Sequence, residues 1–186
     1  MSEQPYTMRT AVLFIAFRRV EESTAVFQAI REARPPRLYF AVDAPRPGKP
    51  EEAAQVARIR ELAGLVDWPC ELKTLFNEVN KGVKYGPWNA MKWFFDQEEE
   101  GIILEDDCLP HPTWFRFAED LLEHHRHDQR IWAIIGNNLM DEWMPANDDS
   151  YYYTAHGYGA YWGWASWRRT WERYDLDMKD WPELRK

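Results

Sequence analysis

The sequence has little of what marks a secreted or membrane-spanning protein. Only two of its 186 residues are cysteines, Cys70 and Cys108. Neither has the spacing of a metal-binding pair, so we expect both to be reduced, buried thiols. The first ten residues lack the basic start and long apolar stretch of a secretion signal. No apolar run approaches the roughly 20 residues needed to cross a bilayer. These absences predict a cytoplasmic protein.

Basic residues are also in deficit, with 23 Lys and Arg against 31 Asp and Glu, for a formal net charge of −8. A nucleic-acid partner is disfavoured, because phosphate backbones bind to a basic face. A nucleotide stays compatible, since its few phosphates need only a metal ion and one or two basic side chains. Apolar residues at 45% and aromatic residues at 16% predict a substantial core in a single domain.

Strand-length apolar runs alternate with amphipathic helical segments along most of the chain. The predicted strands are 10–17, 37–43, 70–77, 102–105 and 131–136, with 70–77 as an exposed or edge strand. The predicted helices are 21–34, 51–64, 87–100 and 112–127, with Gly64 as a C-cap and Pro87 at the first position of its helix. This order predicts an α/β fold with a mainly parallel sheet flanked by helices. A candidate linker at 141–150 precedes an aromatic-rich second lobe of the same domain.

Three acids, Glu105, Asp106 and Asp107, directly follow the buried run 102–104. Ligands of open α/β sheets bind beyond the carboxyl ends of the strands. Alternation in an extended chain predicts Glu105 and Asp107 on one side and Asp106 on the other. Two carboxylates on one side suit Mg²⁺ or Mn²⁺, which prefer oxygen ligands and leave positions for substrate phosphates. Alternatively, Asp106 or Asp107 caps the turn before helix 112–127, and water solvates the others.

Two more polar residues fall at the same predicted edge. Asp43 closes the second strand, where it either accepts a hydrogen bond from a nucleobase or ribose or forms a turn before Ala44 and Pro45. Lys84 lies between glycines in the predicted loop 77–86, where it is either a phosphate contact or a solvated lysine. The three polar ends together favour a nucleotide site.

The segment 150–171 concentrates aromatic residues among glycines, a composition suited to stacking on sugars. Tyr161, Trp162 and Trp164 are candidates for acceptor or donor contact. Alternatively Trp164, Trp167 and Trp171, at i, i+3 and i+7, form the buried stripe of a helix.

Histidines and hydroxyls give weaker signals. The histidines of the predicted helix C-terminus are expected to be solvent-exposed rather than metal-binding: His124, His125 and His127. A substrate role stays open for His111 and His156. Ser166 lacks a nucleophile-elbow context, so covalent catalysis is not predicted.

The stretch ILEDDCLPHPTWFRF, together with YWGWASWRRTW, resembles a group of bacterial nucleotide-diphospho-sugar transferases with the GT-A glycosyltransferase fold. VLFIAFRR, LYFAVDAPR and NKGVKYGPWNAMKWFF fit the same pattern. More distantly, EDD followed by a proline and paired aromatics is similar to the N-acetylglucosaminyltransferase that begins complex N-glycan branching. The resemblance implies a Rossmann-like GT-A fold and metal-dependent transfer from a nucleotide-diphosphate sugar, a UDP-sugar, to a glycan or other hydroxyl acceptor.

The resemblance also implies roles for individual residues. Asp107 would bind Mn²⁺ (or Mg²⁺), while Glu105 and Asp106 would contact donor sugar, ribose or metal-bound water. The implied nucleotide contacts are Ala16 and Phe17 lining its slot, Arg19 and Lys84 on opposite sides of it, and Asp43 at a uracil base. Trp162 and Trp164 are the implied acceptor or sugar contacts.

The chain departs from the family pattern in two places. Arg18, Arg19 and Val20 stand where the family has Asn-Arg-Pro. No acid matches the family's base that activates the acceptor hydroxyl, so the chain is interpreted as a truncated member. Alternatively, Asp175, Asp177 or Asp180 substitutes for the base. Residues 1–186 would form one domain, with a nucleotide-sugar-binding part at 10–140 and the start of an acceptor part at 150–186. Two competing hypotheses are a non-catalytic nucleotide-sugar-binding fragment and a metal-dependent phosphoester hydrolase.

Overall fold

A computed structural model describes residues 6–137, 153 and 161–185. Its framework is a six-stranded sheet flanked by helices. The strands are β1 Val12–Ala16, β2 Arg37–Val42, β3 Glu71–Phe76, β4 Glu100–Glu105, β5 Ala133–Ile135 and β6 Trp164–Trp167. The helices are α1 Val20–Ala33, α2 Pro50–Glu61, α3 Gly82–Phe95, α4 Thr113–His125, α5 Arg168–Trp171 and α6 Trp181–Leu184, with a short 3-10 helix at Leu62–Leu65.

The strand order is β3-β2-β1-β4-β6-β5, and β1 to β4 run parallel. Strand β6 pairs antiparallel with β4 and with β5. The two central strands, β1 and β4, read as continuous apolar runs because helices cover both of their faces. The predicted α/β class with a mainly parallel sheet is confirmed, as is the edge position of strand 70–77.

Two apolar layers hold the helices to the sheet, and alternation along the strands decides which residues enter each. Val12 and Phe14 of β1 face the layer formed with α1, α2 and α4. Leu13 of β1 and Tyr39 of β2 face the opposite layer, with Phe94 of α3. Helices α1, α2 and α4 therefore cover one face, and α3 covers the other. No helix of the described residues is long and apolar enough to cross a membrane.

The third helix differs from its predicted bounds at both ends. It begins at Gly82 rather than at Pro87, which lies inside the helix, and it ends at Phe95. The early start has a long-range cause: the Asp43 carboxylate accepts hydrogen bonds from the N–H groups of Lys81 (3.0 Å) and Gly82 (3.1 Å). An acid from another strand thus satisfies backbone donors that otherwise lack partners at a helix start.

Other local predictions were also wrong. Gly64 does not cap α2; it lies in the 3-10 helix, and Leu62 is the C-cap. The alternative of a helical tryptophan stripe is wrong for two of its three residues, because Trp164 and Trp167 lie in strand β6 beside β4, while Trp171 ends helix α5. His125 is buried rather than exposed.

Gly101 marks a close approach between the sheet and α3. A Cβ atom at this position would overlap the ring of Phe94 and lie 2.9 Å from the carbonyl oxygen of Ala11. The ring of Phe94 therefore lies directly against bare backbone, and only glycine fits at position 101.

Candidate functional site

The carboxyl ends of β1, β2 and β4 meet at one edge of the sheet, as the sequence predicted. Strands β1 and β4 are paired with Ile15 opposite Glu105. The loop after β1, which carries Phe17 and Arg19, therefore lies beside the acids that follow β4. Ala16, the last residue of β1, is buried and offers only backbone to this edge.

Glu105 is the last residue of β4, and the two aspartates do not continue the strand. The N–H of Cys108 donates to the carbonyl oxygen of Glu105 (3.0 Å), so the chain turns directly after β4. Within this turn both aspartates face Arg19: its Nη1 donates to Asp107 Oδ2 (2.6 Å), and its Nε lies 3.4 Å from Asp106 Oδ1. The prediction that Asp106 points away from Asp107 is wrong, because it assumed an extended chain.

Each acid has a different electrostatic environment. Burial raises the pKa of Glu105, and the charges of Asp107 and Asp106 add to that effect. Burial also raises the pKa of Asp106, against the opposing charge of Arg19. At Asp107 burial is again the largest single influence and raises the pKa, but the hydrogen bond and charge of Arg19, together with the hydrogen bonds from Cys108 and Trp162, outweigh it and lower the pKa. Asp107 is therefore the acid held most firmly in its charged form.

The aspartates have other donors besides Arg19. The backbone N–H of Phe17 donates to Asp106 Oδ2 (3.3 Å), and the indole N–H of Trp162 donates to Asp107 Oδ1 (3.3 Å). Neither aspartate caps α4. The N-cap of α4 is Pro112, which makes no side-chain capping hydrogen bond, and the N–H of Thr113 donates to Nδ1 of His111 (3.3 Å).

The donor set limits which kind of metal site is possible. Among residues 6–137, 153 and 161–185, no group of three His, Cys, Asp or Glu side chains is arranged to hold an ion. A protein-only cage is therefore absent from this part of the chain. Mg²⁺ at phosphate sites commonly uses one or two carboxylates, with substrate phosphates and water as the other ligands. The Asp107 side chain, one-third exposed at 33%, fits a metal site of that open kind.

A cleft of about 550 Å³ begins at Asp107 and extends between the start of α4 and the turn before β6. Its volume is within the range of small-molecule sites. The lining is mainly apolar, with polar groups near the mouth: Leu104, Asp107, Cys108, Leu109, Pro110, His111, Thr113, Trp114, Phe117, Gly136, Asn137, Trp162 and Gly163.

Two glycines, Gly136 and Gly163, lie in the wall of the cleft. The N–H of Gly136 donates to the carbonyl oxygen of Gly163 (3.1 Å), and Gly163 has a positive φ of 67°. A Cβ atom on Gly136 would lie 3.1 Å from the ring of Trp114. A side chain at either glycine would strain the backbone or crowd this wall.

Of the remaining predicted contact residues, Trp162 lines the cleft, and Trp164 and Lys84 do not. Trp164 lies in β6 with its ring 5.5 Å from that of Tyr161. Lys84 lies in the first turn of α3 and pairs with Asp177 (3.2 Å). His156 lies outside the described residues.

Asp43 is more heavily bonded than the sequence suggested. Besides the N–H groups at the start of α3, its carboxylate accepts hydrogen bonds from the side-chain amides of Asn77 (2.9 Å) and Asn80 (3.1 Å) and from the N–H of Ala44 (2.9 Å). The turn role before Ala44 is therefore present in the structure. Contact with a nucleobase remains a prediction.

Sequence reasoning missed a second place at this edge where arginines pair with a buried acid. Glu52 of α2 is buried and accepts hydrogen bonds from the backbone and side chain of Arg46. Its carboxylate also lies 3.8 Å from Arg18. The hydrogen bonds from Arg46 lower the pKa of Glu52 to about 2. The available signal was the placement of arginines shortly after two predicted strands, but the acid between them comes from a separate helix.

No protein-family model matches the sequence, and no curated protein matches it. The fold is nevertheless similar to solved structures. One is 4-diphosphocytidyl-2C-methyl-D-erythritol synthase from Anaerococcus prevotii, with a TM-score of 0.51, 10% sequence identity, and coverage of 92% of this chain and 77% of that chain. At this identity the similarity concerns the architecture, a mostly parallel Rossmann-like sheet flanked by helices.

Proposed function

We propose that this chain is a transferase domain that binds a nucleotide-diphosphate sugar, specifically a UDP-sugar, and uses a divalent cation for glycosyl transfer to a hydroxyl acceptor. One observation carries the proposal: Asp106 and Asp107, which follow the central strand β4, pair with Arg19, and Asp107 also lines an aromatic-lined cleft. Anionic and cationic groups thus lie together where open α/β sheets bind ligands.

The structural neighbour supports the nucleotide part of the proposal. Its name describes a polyol, 2C-methyl-D-erythritol, that carries a diphosphocytidyl group, which is the nucleotide part of the compound. A shared fold is support by analogy only. The choice of a UDP-sugar and of glycosyl transfer comes from the resemblance of the EDD and Trp-Gly-Trp segments to sugar transferases.

Within this proposal, Asp107 would hold Mn²⁺ or Mg²⁺ together with diphosphate oxygens and water. A bound divalent cation supplies neutralisation of the charge that develops on the departing diphosphate. Arg19 adds a guanidinium group for the same phosphates, since its side chain is half exposed at 49%. Asp106 fixes the loop after β1 through Phe17 N–H, and Glu105 is left for ribose, sugar or metal-bound water.

The cleft beyond Asp107 would hold the sugar and the acceptor. Trp162 presents an exposed ring at its mouth, suited to the C–H face of a sugar. Because Nδ1 of His111 accepts a hydrogen bond from Thr113, Nε2 carries the proton in the neutral ring. His111 is therefore suited to donating a hydrogen bond to a ligand oxygen.

A second candidate, binding without transfer, is favoured by the chemistry of the described cleft residues. An inverting transfer needs a base for the acceptor hydroxyl. Asp107 is paired with Arg19, and burial raises the pKa of Cys108 to about 12. His111 already accepts at Nδ1, and none of the proposed substitutes lines the cleft: Asp175, Asp177 and Asp180.

Calorimetric titration of UDP with and without Mn²⁺ tests the metal-bridged site. For the wild-type chain we expect Mn²⁺ to tighten UDP binding at least about tenfold, and for Asp107→Asn we expect most of that gain to disappear. Asp120→Asn is the matched control, because Asp120 is an exposed acid on α4 that pairs with Arg116. Equal UDP affinity of the wild type with and without Mn²⁺ would contradict the metal-bridged site.

Release of UDP from a UDP-sugar separates the two candidates. The transferase predicts release that increases when a hydroxyl acceptor is added. Tight donor binding without release under any acceptor favours the binding fragment.

A further inference from the structure

Arg19 and Asp107 form a short ion pair at the candidate site. Nη1 of Arg19 donates to Asp107 Oδ2 at 2.6 Å, and this hydrogen bond is the leading cause of the raised pKa of Arg19. The other oxygen, Oδ1, accepts from Trp162 (3.3 Å) and from the thiol of Cys108 (3.6 Å). Both oxygens of the carboxylate proposed to bind the cation therefore already have donors.

A divalent cation on Oδ2 would meet the guanidinium group directly. Like charges at contact distance repel, and a carboxylate oxygen that accepts a short charge-assisted hydrogen bond is a poorer metal ligand. The cation could bind only if the guanidinium group moved away from Asp107.

The side chain of Arg19 is free to make that movement while its backbone stays fixed. The carbonyl oxygen of Arg19 accepts the N–H of Ser23 (2.9 Å) in the first turn of α1. The guanidinium group is half exposed, and its contact with Asp106 is long at 3.4 Å. A rotation of the side chain would give up one short hydrogen bond and leave the helix start unchanged.

We propose that Arg19 and the divalent cation are alternative partners of Asp107, and that the guanidinium group moves to the diphosphate when cation and nucleotide bind together. This inference rests on the proposed function. The diphosphate supplies new acceptors for Arg19 at the moment the cation takes its place. Cation and nucleotide should therefore bind cooperatively, each tightening the other by the same factor.

The first test measures Mn²⁺ binding without nucleotide, by the electron paramagnetic resonance signal of the free ion. Arg19→Gln removes the competing guanidinium group, so we expect Mn²⁺ to bind about fivefold more tightly than to the wild type. Arg18→Gln is the matched control, because Arg18 is the adjacent arginine and its guanidinium group faces Glu52 rather than Asp107. The control should keep wild-type Mn²⁺ affinity.

The second test repeats the measurement with UDP present. Arg19→Gln should weaken UDP binding at saturating Mn²⁺ by at least about tenfold, because a charge-assisted hydrogen bond to phosphate is lost. The factor by which UDP tightens Mn²⁺ should fall accordingly. Opposite signs in the two tests, tighter ion and weaker nucleotide, are the signature of an exchanged partner.

Unchanged or weaker nucleotide-free Mn²⁺ binding by Arg19→Gln would overturn the inference, even if UDP and Mn²⁺ remain coupled in the wild type and the proposed function stands. If UDP fails to tighten Mn²⁺ in the wild type while Arg19→Gln still binds the ion more tightly, the metal-bridged function fails and the competition at Asp107 stands. Absence of Mn²⁺ binding by both proteins, with and without UDP, would overturn both.

Discussion

Buried carboxylates are bonded differently at the two edges of the central sheet, one formed by the amino ends of the strands and the other by their carboxyl ends. At the amino ends of the strands, Glu119 accepts hydrogen bonds from the N–H groups of Arg9 (2.7 Å) and Thr10 (2.8 Å) and from the Thr10 hydroxyl (2.7 Å). Glu98 accepts from the guanidinium group of Arg37 (2.7 and 3.1 Å) and from the Tyr39 hydroxyl (2.9 Å). Each acid there has its own set of donors.

At the carboxyl ends, Asp106 and Asp107 share the guanidinium group of Arg19, and Glu105 is influenced only by its charge. The pKa values of Glu105 and Asp106 are raised, so negative charge at this edge is only partly compensated. The difference teaches that burial of acids alone does not mark a ligand site. Acids that each have their own set of protein donors hold the chain together, whereas a cluster of acids whose charge is only partly compensated favours a cation from outside.

The largest expected effect is at the amino edge. Glu119→Ala leaves the N–H groups of Arg9 and Thr10 without an acceptor, so we expect the free energy of unfolding to fall by about 3 kcal/mol. Urea denaturation followed by circular dichroism measures it. Glu123→Ala, an exposed acid on the same helix that pairs with Arg126, should change stability by less than about 0.5 kcal/mol. Equal effects of the two substitutions would show that the donors to Glu119 do not stabilise the fold.

Asp43 sharpens the comparison, because it lies at the carboxyl edge but is bonded like the acids of the amino edge. In Asp43→Asn an amide NH₂ would face the N–H donors of Lys81 and Gly82, and we expect a loss of about 2 kcal/mol in unfolding free energy. Asp96→Asn, a surface acid paired with Lys92, serves as the control in the same denaturation series. A loss of UDP affinity with unchanged stability would instead assign Asp43 to the ligand alone.

The smallest effect has the opposite sign. Glu105→Gln removes a charge that burial and the neighbouring aspartates disfavour, so we expect the free energy of unfolding at pH 7 to rise by about 1 kcal/mol. The pKa of Glu105 in the folded protein lies above its ordinary value of 4.5. The wild type therefore begins to lose stability as the pH rises through 4.5, and the loss is complete above the folded pKa. The gain should therefore shrink as pH falls and vanish below pH 4.5. Thermal unfolding at pH 7 and pH 4 checks both; a less stable variant at pH 7 would refute the argument.

The sequence was informative wherever a signal is local. Apolar runs bounded by turn residues predicted the strands, and the position of Asp107 after such a run predicted the edge at which it lies. Pro87 was misinterpreted as a helix start because the acid that supports the earlier start, Asp43, is nearly 40 residues away in the chain. Local pattern cannot show a hydrogen bond closed by tertiary structure.

The geometry of the site was harder to predict for the same reason. Arg19 was expected near the nucleotide, but its bridge to Asp106 and Asp107 depends on the pairing of β1 with β4 and on the turn after Glu105. Trp167 was placed on a helix because a spacing of three and four residues suits one, while its actual neighbours are in β4. Pairing between distant strands overrides local periodicity.

The bare backbone at Gly101 has a mechanical consequence for helix α3. Helix α3 is a stiff rod about 20 Å long. Near its C-terminus Phe94 packs against Gly101, and at its N-terminus Asp43 binds the backbone. A methyl group added at position 101 would lift the Phe94 end, and the rod would tilt about its anchored end. Because Lys84 lies in the first turn of α3, beside the anchored end, the tilt would displace it least and would displace the last turn of the helix most.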